Sequence, residues 1–361
     1  MDNTKEYLIP ALEPLDQYNR ELAANVHPSD WRNPEPKAQY DLVVIGAGTA
    51  GLVAAAGAAG LGAKVALIEK DLMGGDCLNV GCVPSKALIR AARAHAEARD
   101  GGQFGVVFDG HIESNFPAVM ERMRRLRAGI SHHDSARRFR ELGIDVFIGK
   151  GVFHDDRSIR VGMHRLHFAK AVIATGARAV ELPIPGISEA GYVTNETVFS
   201  LTTLPQRLAV IGTGPVGCEL AQAFARFGSK VTLLEQGKQL LPREDREAAK
   251  VVEQALLRDG VQIDASCKIM GISREGSEKI IALQGPDRSS RLKKYRDEAG
   301  GDAGISSASI VDRLAVLKSN SPTVWASPGL TSPATAASAA KLAIKIISLH
   351  RGFGTRLAGR N

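Results

Sequence analysis

The run Asp41-Leu-Val-Val-Ile-Gly-Ala-Gly-Thr-Ala-Gly51 joins four apolar residues to three spaced glycines. Leu42–Ile45 is the kind of short apolar run that lies buried on both faces of a parallel sheet. Gly46, Gly48 and Gly51 form G-x-G-x-x-G. The first glycine permits a tight turn, the second lets a pyrophosphate approach the backbone, and the third allows close packing of helix on strand. Thr49–Gly60 then predicts a helix whose N-terminus faces the phosphates. Lys64–Ile68 predicts a second strand ending at Glu69, which is placed to accept hydrogen bonds from a ribose, with Lys70 beside it. One such glycine pattern is a weak signal, but here strand, turn, helix, strand and terminal acid fall in order.

The pattern occurs twice. Leu208–Ile211 predicts a strand, Gly212, Gly214 and Gly217 repeat the glycines, Glu219–Phe227 reads as helix and Lys230–Leu234 as strand, closed by Glu235. The offset from first glycine to terminal acid is 23 in both copies. Two such units predict an α/β fold with two Rossmann-like dinucleotide-binding domains. A carboxylate at Glu235 accepts from the 2′-hydroxyl of NAD and repels the 2′-phosphate of NADP. NADH is therefore favoured over NADPH, with Lys238 close enough to soften that preference.

Between the copies stands Gly74-Gly-Asp-Cys-Leu-Asn-Val-Gly-Cys-Val-Pro-Ser-Lys86. Cys77 and Cys82 lead into a predicted helix, Val83–Ala98. Their spacing suits a redox-labile disulfide at a helix start, where amide dipoles lower a thiol's pKa; it suits equally two unrelated small residues in a turn. Lys86 lies one turn beyond Cys82 and, read alone, is a solvated helix lysine.

Gly75, Cys77, Asn79, Val80, Gly81, Cys82, Pro84, Ser85 and Lys86 resemble the active-site signature of the flavoprotein disulfide reductases, which include dihydrolipoamide dehydrogenase and mercuric reductase. Asp76 stands where a threonine is usual, as in a mercuric reductase-like branch. The resemblance covers Asp41 to about Gln284 and implies FAD on the first unit and NAD(P)H on the second. It further implies a redox-active Cys77–Cys82 disulfide, with Cys77 exchanging with substrate and Cys82 next to the flavin. Lys86 would lie by the flavin and pair with Glu219, while Thr175 and Gly176 of an Ala-Thr-Gly return would also approach the flavin. The implied activity is transfer of electrons from NAD(P)H through FAD to that disulfide and on to a thiol, disulfide or metal-ion substrate. The other readings are an NADH:acceptor diaphorase and a non-catalytic nucleotide-binding remnant.

The remaining sequence sets bounds. Residues 285–361 carry 12 Lys+Arg and 5 Asp+Glu, so the net charge of +7 sits in that stretch and the preceding 284 residues are balanced. With no aromatic interleaving, nucleic-acid binding is not expected. Leu42–Ala63 is uncharged but holds six glycines, so it reads as strand, turn and helix rather than a membrane span. Met1–Pro10 lacks the features of a secretory signal, and with four cysteines a cytoplasmic redox protein is expected. No metal site is expected, since His132 and His133 are adjacent and cannot share a helical face; both are read as solvated. Cys218 and Cys267 are read as small apolar residues.

The domain reading is an N-terminal arm over 1–39 and an FAD-binding unit over 40–187, rejoined by 305–350. A nicotinamide unit spans 188–304, and 351–361 is a tail. Within these, Phe116–Leu142 predicts one long basic surface helix with Val119, Met123, Leu126, Ile130 and Phe139 at helical spacing. Beyond Gln284 the resemblance decays. A second Ala-Thr-Gly-Arg stretch is absent and Arg288–Gly304 reads as a loop. Pro328-Gly329 stands where a flavin-binding Gly-Asp pair is expected, Ala334–Ile347 reads as helix, and His350 reads as surface. The second unit is expected to lack its closing strand. The dimerisation domain is expected to be missing, and with it the family's route to a homodimer and its catalytic His.

Overall fold

The computed structural model describes residues 12–107, 109–110, 112–180, 182–276, 278–285, 290–294, 313–316 and 345–347. Helix α1 (Gln17–Val26) comes first, capped by Asp16, whose carboxylate accepts the Asn19 N–H at 2.9 Å. Strand β1 (Tyr40–Ile45), helix α2 (Thr49–Gly60) and strand β2 (Val65–Glu69) follow, with Leu42 opposite Val65 in a parallel pair. Every residue of β2 is buried, as its unbroken apolar run requires. Helices α3 (Gly75–Asn79) and α4 (Cys82–Arg99) carry the cysteine segment, and α5 (Phe116–Ser131) and α6 (Ala136–Glu141) lie beyond. Strands β3 (Asp145–Ile148), β4 (Gly151–Phe153), β5 (Ser158–Val161) and β6 (His164–Ile173) complete the sheet in the order β3-β2-β1-β6-β5-β4. The first four strands are parallel and the last two pairings antiparallel. The chain leaves β1 toward β2 on one side and returns as β6 on the other. That makes a switch point, and ligands of open α/β sheets sit at its C-terminal end.

The second unit repeats the plan. After the short α7 (Ile187–Ala190) come β7 (Arg207–Ile211), α8 (Pro215–Phe227), β8 (Lys230–Leu234), α9 (Arg246–Arg258) and β9 (Gln262–Asp264). Strands β10 (Lys268–Glu275), β11 (Glu278–Gln284) and β12 (Ser290–Lys294) form an antiparallel sheet. Strand β13 (Arg313–Val316) runs parallel beside β7, giving β13-β7-β8-β9, and β14 (Lys345–Ile347) pairs antiparallel with β6.

Several expectations are corrected here. The second sheet does have a strand beyond β7, so its edge is not left open there. That strand falls inside the span expected to rejoin the first unit, yet it pairs with the second. Part of the expected 288–304 loop is β12, because an antiparallel partner was available on β11. Residues 345–347, read as the end of a helix, form a strand against β6. The Ala-Thr-Gly return is reached by one long strand, His164–Ile173, which pairs with β5 by its first half and β1 by its second. The Pro328-Gly329 replacement, Ala334 and His350 lie outside the described residues.

The expected helix over 116–142 is broken. Ser131 turns its hydroxyl onto the Ala128 carbonyl at 2.6 Å, and Ser135 caps α6 by accepting the Arg138 N–H at 3.2 Å. Its buried face is also rotated from the predicted one. Phe116, Met120, Met123, Arg124 and Arg127 face inward, whereas Leu126 and Ile130 are exposed.

One apolar core runs across the two units. Leu88, Phe116, Met120 and Met123 pack with Leu208, Leu220, Phe224 and Phe227. The Phe116 ring lies 5.8 Å from both Phe224 and Phe227. This sets α4 against α8, and so places the helix that follows Cys82 beside the second nucleotide-binding helix.

Candidate active site

The two glycine turns are built alike. A Cβ on Gly51 would meet the Gly46 carbonyl oxygen at 1.7 Å, and one on Gly217 would meet the Gly212 oxygen at 2.2 Å. Only glycine lets each helix start this close to its strand. Helices α2 and α8 have Gly48 and Gly214 as N-caps, with no side-chain capping bond on either. Their first amides are thus left for another acceptor. A Cβ on Gly214 would meet nothing within 4 Å, which is the open cradle a phosphate group needs. These features fit a dinucleotide pyrophosphate at each turn.

The terminal acids are also alike, in a way the sequence did not disclose. Glu69 is buried and accepts the Ala47 N–H at 2.7 Å and the Asp71 N–H at 2.8 Å. Glu235 accepts from the Thr213 N–H at 3.2 Å, the Thr213 hydroxyl at 2.5 Å and the Gly237 N–H at 2.7 Å. Each acid therefore ties the residue after the first glycine to the residue two beyond itself, and keeps spare lone pairs for ribose hydroxyls. Burial pushes the Glu69 carboxyl up, against the Asp71 and Ala47 amides that hold it down. Lys70 is half-exposed and pairs with Asp71 at 3.4 Å. Lys238 is exposed.

The cysteine segment docks on the first turn. Gly74 donates to the Ala47 carbonyl at 2.8 Å, and Gly48 and Gly74 form an isolated parallel bridge. Gly75 has φ +56°, and a Cβ there would lie 2.6 Å from the Gly48 Cα, so no other residue fits. Cys77 sits in α3, where Thr49, the first residue of α2, and Cys82 both act on its thiol. Cys82 opens α4, with Gly81 as its N-cap. Cys77 is half-buried and Cys82 exposed, and both are free thiols. The lowering of a thiol's pKa expected at a helix start does not operate at Cys77. Burial pushes it up, and the neighbouring Cys82 and Asp134 push the same way, outweighing the opposite effect of Thr49. Loss of solvation disfavours the thiolate there.

Thr175 and Gly176 follow β6 and are exposed. They pass the first turn closely, since a Cβ on Gly46 would meet the Ala174 oxygen at 2.3 Å and the Thr175 Cα at 3.2 Å. Lys86 Nζ lies 3.2 and 3.1 Å from the two carboxylate oxygens of Glu219, joining α4 to α8. Cys218 and Cys267 are buried, and burial pushes both thiols up, Cys218 to about 11. His132 and His133 are exposed, with their rings in contact at a tilt of 41°. Sequence reasoning missed Thr49, Asp134 and the buried arginines of α5. Arg127 donates to the Asn79 carbonyl at 2.6 Å. Its only sequence signal was a place one turn beyond Met123 on the inward face.

Two units with dinucleotide-binding turns, one carrying a dithiol docked on its turn, define the two-unit α/β plan of a dinucleotide-binding protein. The chain belongs to the pyridine nucleotide-disulphide oxidoreductase family, whose sequence profile matches residues 40–293. It is similar to a dihydrolipoyl dehydrogenase of Bacillus subtilis (strain 168), with 34% identity over 263 residues, 68% of this chain and 54% of the relative. It is also similar to a mercuric reductase of Staphylococcus aureus, with 32% identity over 249 residues, 68% of this chain and 45% of the relative. Among solved structures it resembles the HOCl-induced flavoprotein disulfide reductase RclA from Escherichia coli, at TM-score 0.60 and 29% identity, over 77% of this chain and 56% of that one. The chain thus spans about half the length of these relatives. No helix among the described residues is long and apolar enough to cross a membrane.

Proposed function

We propose that this chain is an FAD-dependent oxidoreductase that uses NADH to reduce the Cys77–Cys82 pair, which then acts on a small thiol, disulfide or metal-ion substrate. FAD, when bound, supplies two-electron transfer between nicotinamide and the cysteine pair. Residues 40–187 would hold it through the turn at Gly46, Gly48 and Gly51, with Glu69 and Lys70 at the ribose end and Gly75, Thr175 and Gly176 alongside. Residues 188–304 would hold the nicotinamide cofactor through Gly212, Gly214, Gly217 and Glu235. The preference for NADH rests on the Glu235 carboxylate, which would repel a 2′-phosphate. The assigned setting is the cytoplasm, where a reducing poise keeps thiols available.

The observation that carries the reading is the docking of the cysteine segment on the first glycine turn, through the Gly48–Gly75 approach and the hydrogen bond from the Gly74 N–H to the Ala47 carbonyl. A dithiol held there adjoins the helix start offered to a phosphate. In this reading Cys77, the less accessible thiol, exchanges with substrate after it is deprotonated. Cys82 stands next to the flavin, and the Lys86–Glu219 pair keeps a cation one helical turn from it while spanning the two units.

The test is an absorption spectrum of the purified protein before and after anaerobic NADH. A flavin band that bleaches on addition supports the reading. A protein that stays colourless with added FAD overturns it and leaves a nucleotide-binding remnant.

A further inference from the structure

We infer that the N-terminal arm positions the cysteine pair, and that Arg127 is the buried positioning residue through which it does so. This rests on the reading of Cys77 and Cys82 as a redox pair. Arg127 donates from Nη1 to the Asn79 carbonyl at 2.6 Å and from Nη2 to the Asn19 side-chain oxygen at 2.6 Å. Asn19 lies in α1, and its amide in turn donates to the Pro14 carbonyl at 2.8 Å. Asn79 lies between the two cysteines, at the end of α3, where the last helical carbonyls have no partner within the helix. The guanidinium supplies that partner.

The arm also grips the approach to the loop. The Met73 N–H donates to the Val26 carbonyl at 3.1 Å, and the His27 ring bonds the Asp71 carbonyl. Arg124, next along the inward face of α5, pairs with Asp16 at 2.5 Å. The arm therefore holds the cysteine segment directly at Asp71 and Met73, and at Asn79 through Arg127.

The geometry of Arg127 is that of a connector rather than a surface charge. It is 3% exposed, and its Nε finds no partner, so the two Nη donors alone orient it. Burial, with Arg124 adding to it, pushes its pKa down to about 10, so it stays protonated at neutral pH. A charge held at that cost in solvation binds its acceptors tightly. Fixing Asn79 limits the freedom of the short chain between the thiols, and so favours closing the disulfide.

The test equilibrates the full chain with dithiothreitol at graded ratios of reduced to oxidised reagent, then alkylates free thiols and reads Cys77 and Cys82 by mass spectrometry. In each exchange the Cys77–Cys82 S–S bond breaks, while the reagent's two thiols close into its ring disulfide. Two electrons and two protons pass from reagent to protein. Arg127→Met is expected to move the midpoint ratio at least tenfold toward easier reduction, about 30 mV. Asn19→Leu, which cuts the arm but leaves the bond to Asn79, should move it the same way, and Arg127→Lys should return the midpoint most of the way to wild type. If Arg127→Met does not fold, Asn19→Leu decides.

Ile281→Ala serves as the control, being buried in the separate core under β11 of the second unit, and should lower the melting temperature without moving the midpoint. Unchanged midpoints in Arg127→Met and Asn19→Leu overturn the inference. So does an equal shift in Ile281→Ala, which would mark general destabilisation. A wild-type chain that never forms the disulfide overturns the redox-pair reading and this inference with it. A normal wild-type disulfide with unmoved variants overturns this inference alone.

Discussion

At the residue scale, burial and not sequence spacing governs the chemistry of Cys77. Its thiol is held up by desolvation, with Cys82 and Asp134 adding to the effect. At pH 7 its alkylation should be slower than that of free cysteine and should rise with pH beyond the ordinary thiol range, as followed by mass spectrometry. Cys77→Ser should abolish activity on thiol or disulfide substrates while sparing reduction of artificial electron acceptors by NADH. If all activity survives in Cys77→Ser, the diaphorase reading replaces the dithiol one. Glu69 makes a second residue-scale prediction. Truncation to Ala strands the Ala47 and Asp71 amides. The loss should be about 1–3 kcal/mol in urea unfolding, together with weaker FAD retention on gel filtration.

At the scale of elements, α3 and α4 owe their position to contacts with other parts of the chain. Gly75→Ala forces a side chain into the Gly48 Cα at a backbone angle that L residues rarely adopt. It should undock α3 from the glycine turn and release FAD, with a loss of flavin absorbance after desalting. Helix α4 is set by the shared core. Phe116→Ala should cost about 3–5 kcal/mol, as large aromatic truncations in cores do, and should loosen the approach of Lys86 to Glu219. The ion pair cannot replace that packing, because both partners are substantially exposed and such pairs contribute little.

On the scale of the whole molecule, a second link joins the units at Asp259. Burial works against its charge, but Arg226, Gln222 and Arg99 donate to it and hold its carboxyl below the usual range. Arg99 belongs to α4 and the other two to α8. A carboxyl whose folded pKa lies below its unfolded value stabilises the fold above about pH 3.9, and that contribution is lost as pH falls through the folded value. The melting temperature of wild type should therefore exceed that of Asp259→Asn at pH 7. The difference should shrink below about pH 4, as scanning calorimetry across pH would show.

Both nucleotide-binding units, the glycines of each turn, the terminal acids and the cysteine segment were legible from the sequence. Each is a local device whose spacing along the chain matches the geometry of one strand, turn and helix. The partners were not legible, because they join residues far apart in the chain. Examples are Arg127 with Asn79 and Asn19, Asp259 with Arg99, and β13 beside β7. The arginines of α5 read as part of a long basic surface helix, since sequence periodicity gives the width of a helical face but not which way it turns. Only packing decided that Arg127 points inward, where a buried cation needs acceptors and the cysteine loop has one to offer. The sequence by itself determined which local units this chain forms. The tertiary structure alone decided what each unit leans on, because desolvation and hydrogen-bond pairing act between residues that the chain order keeps apart.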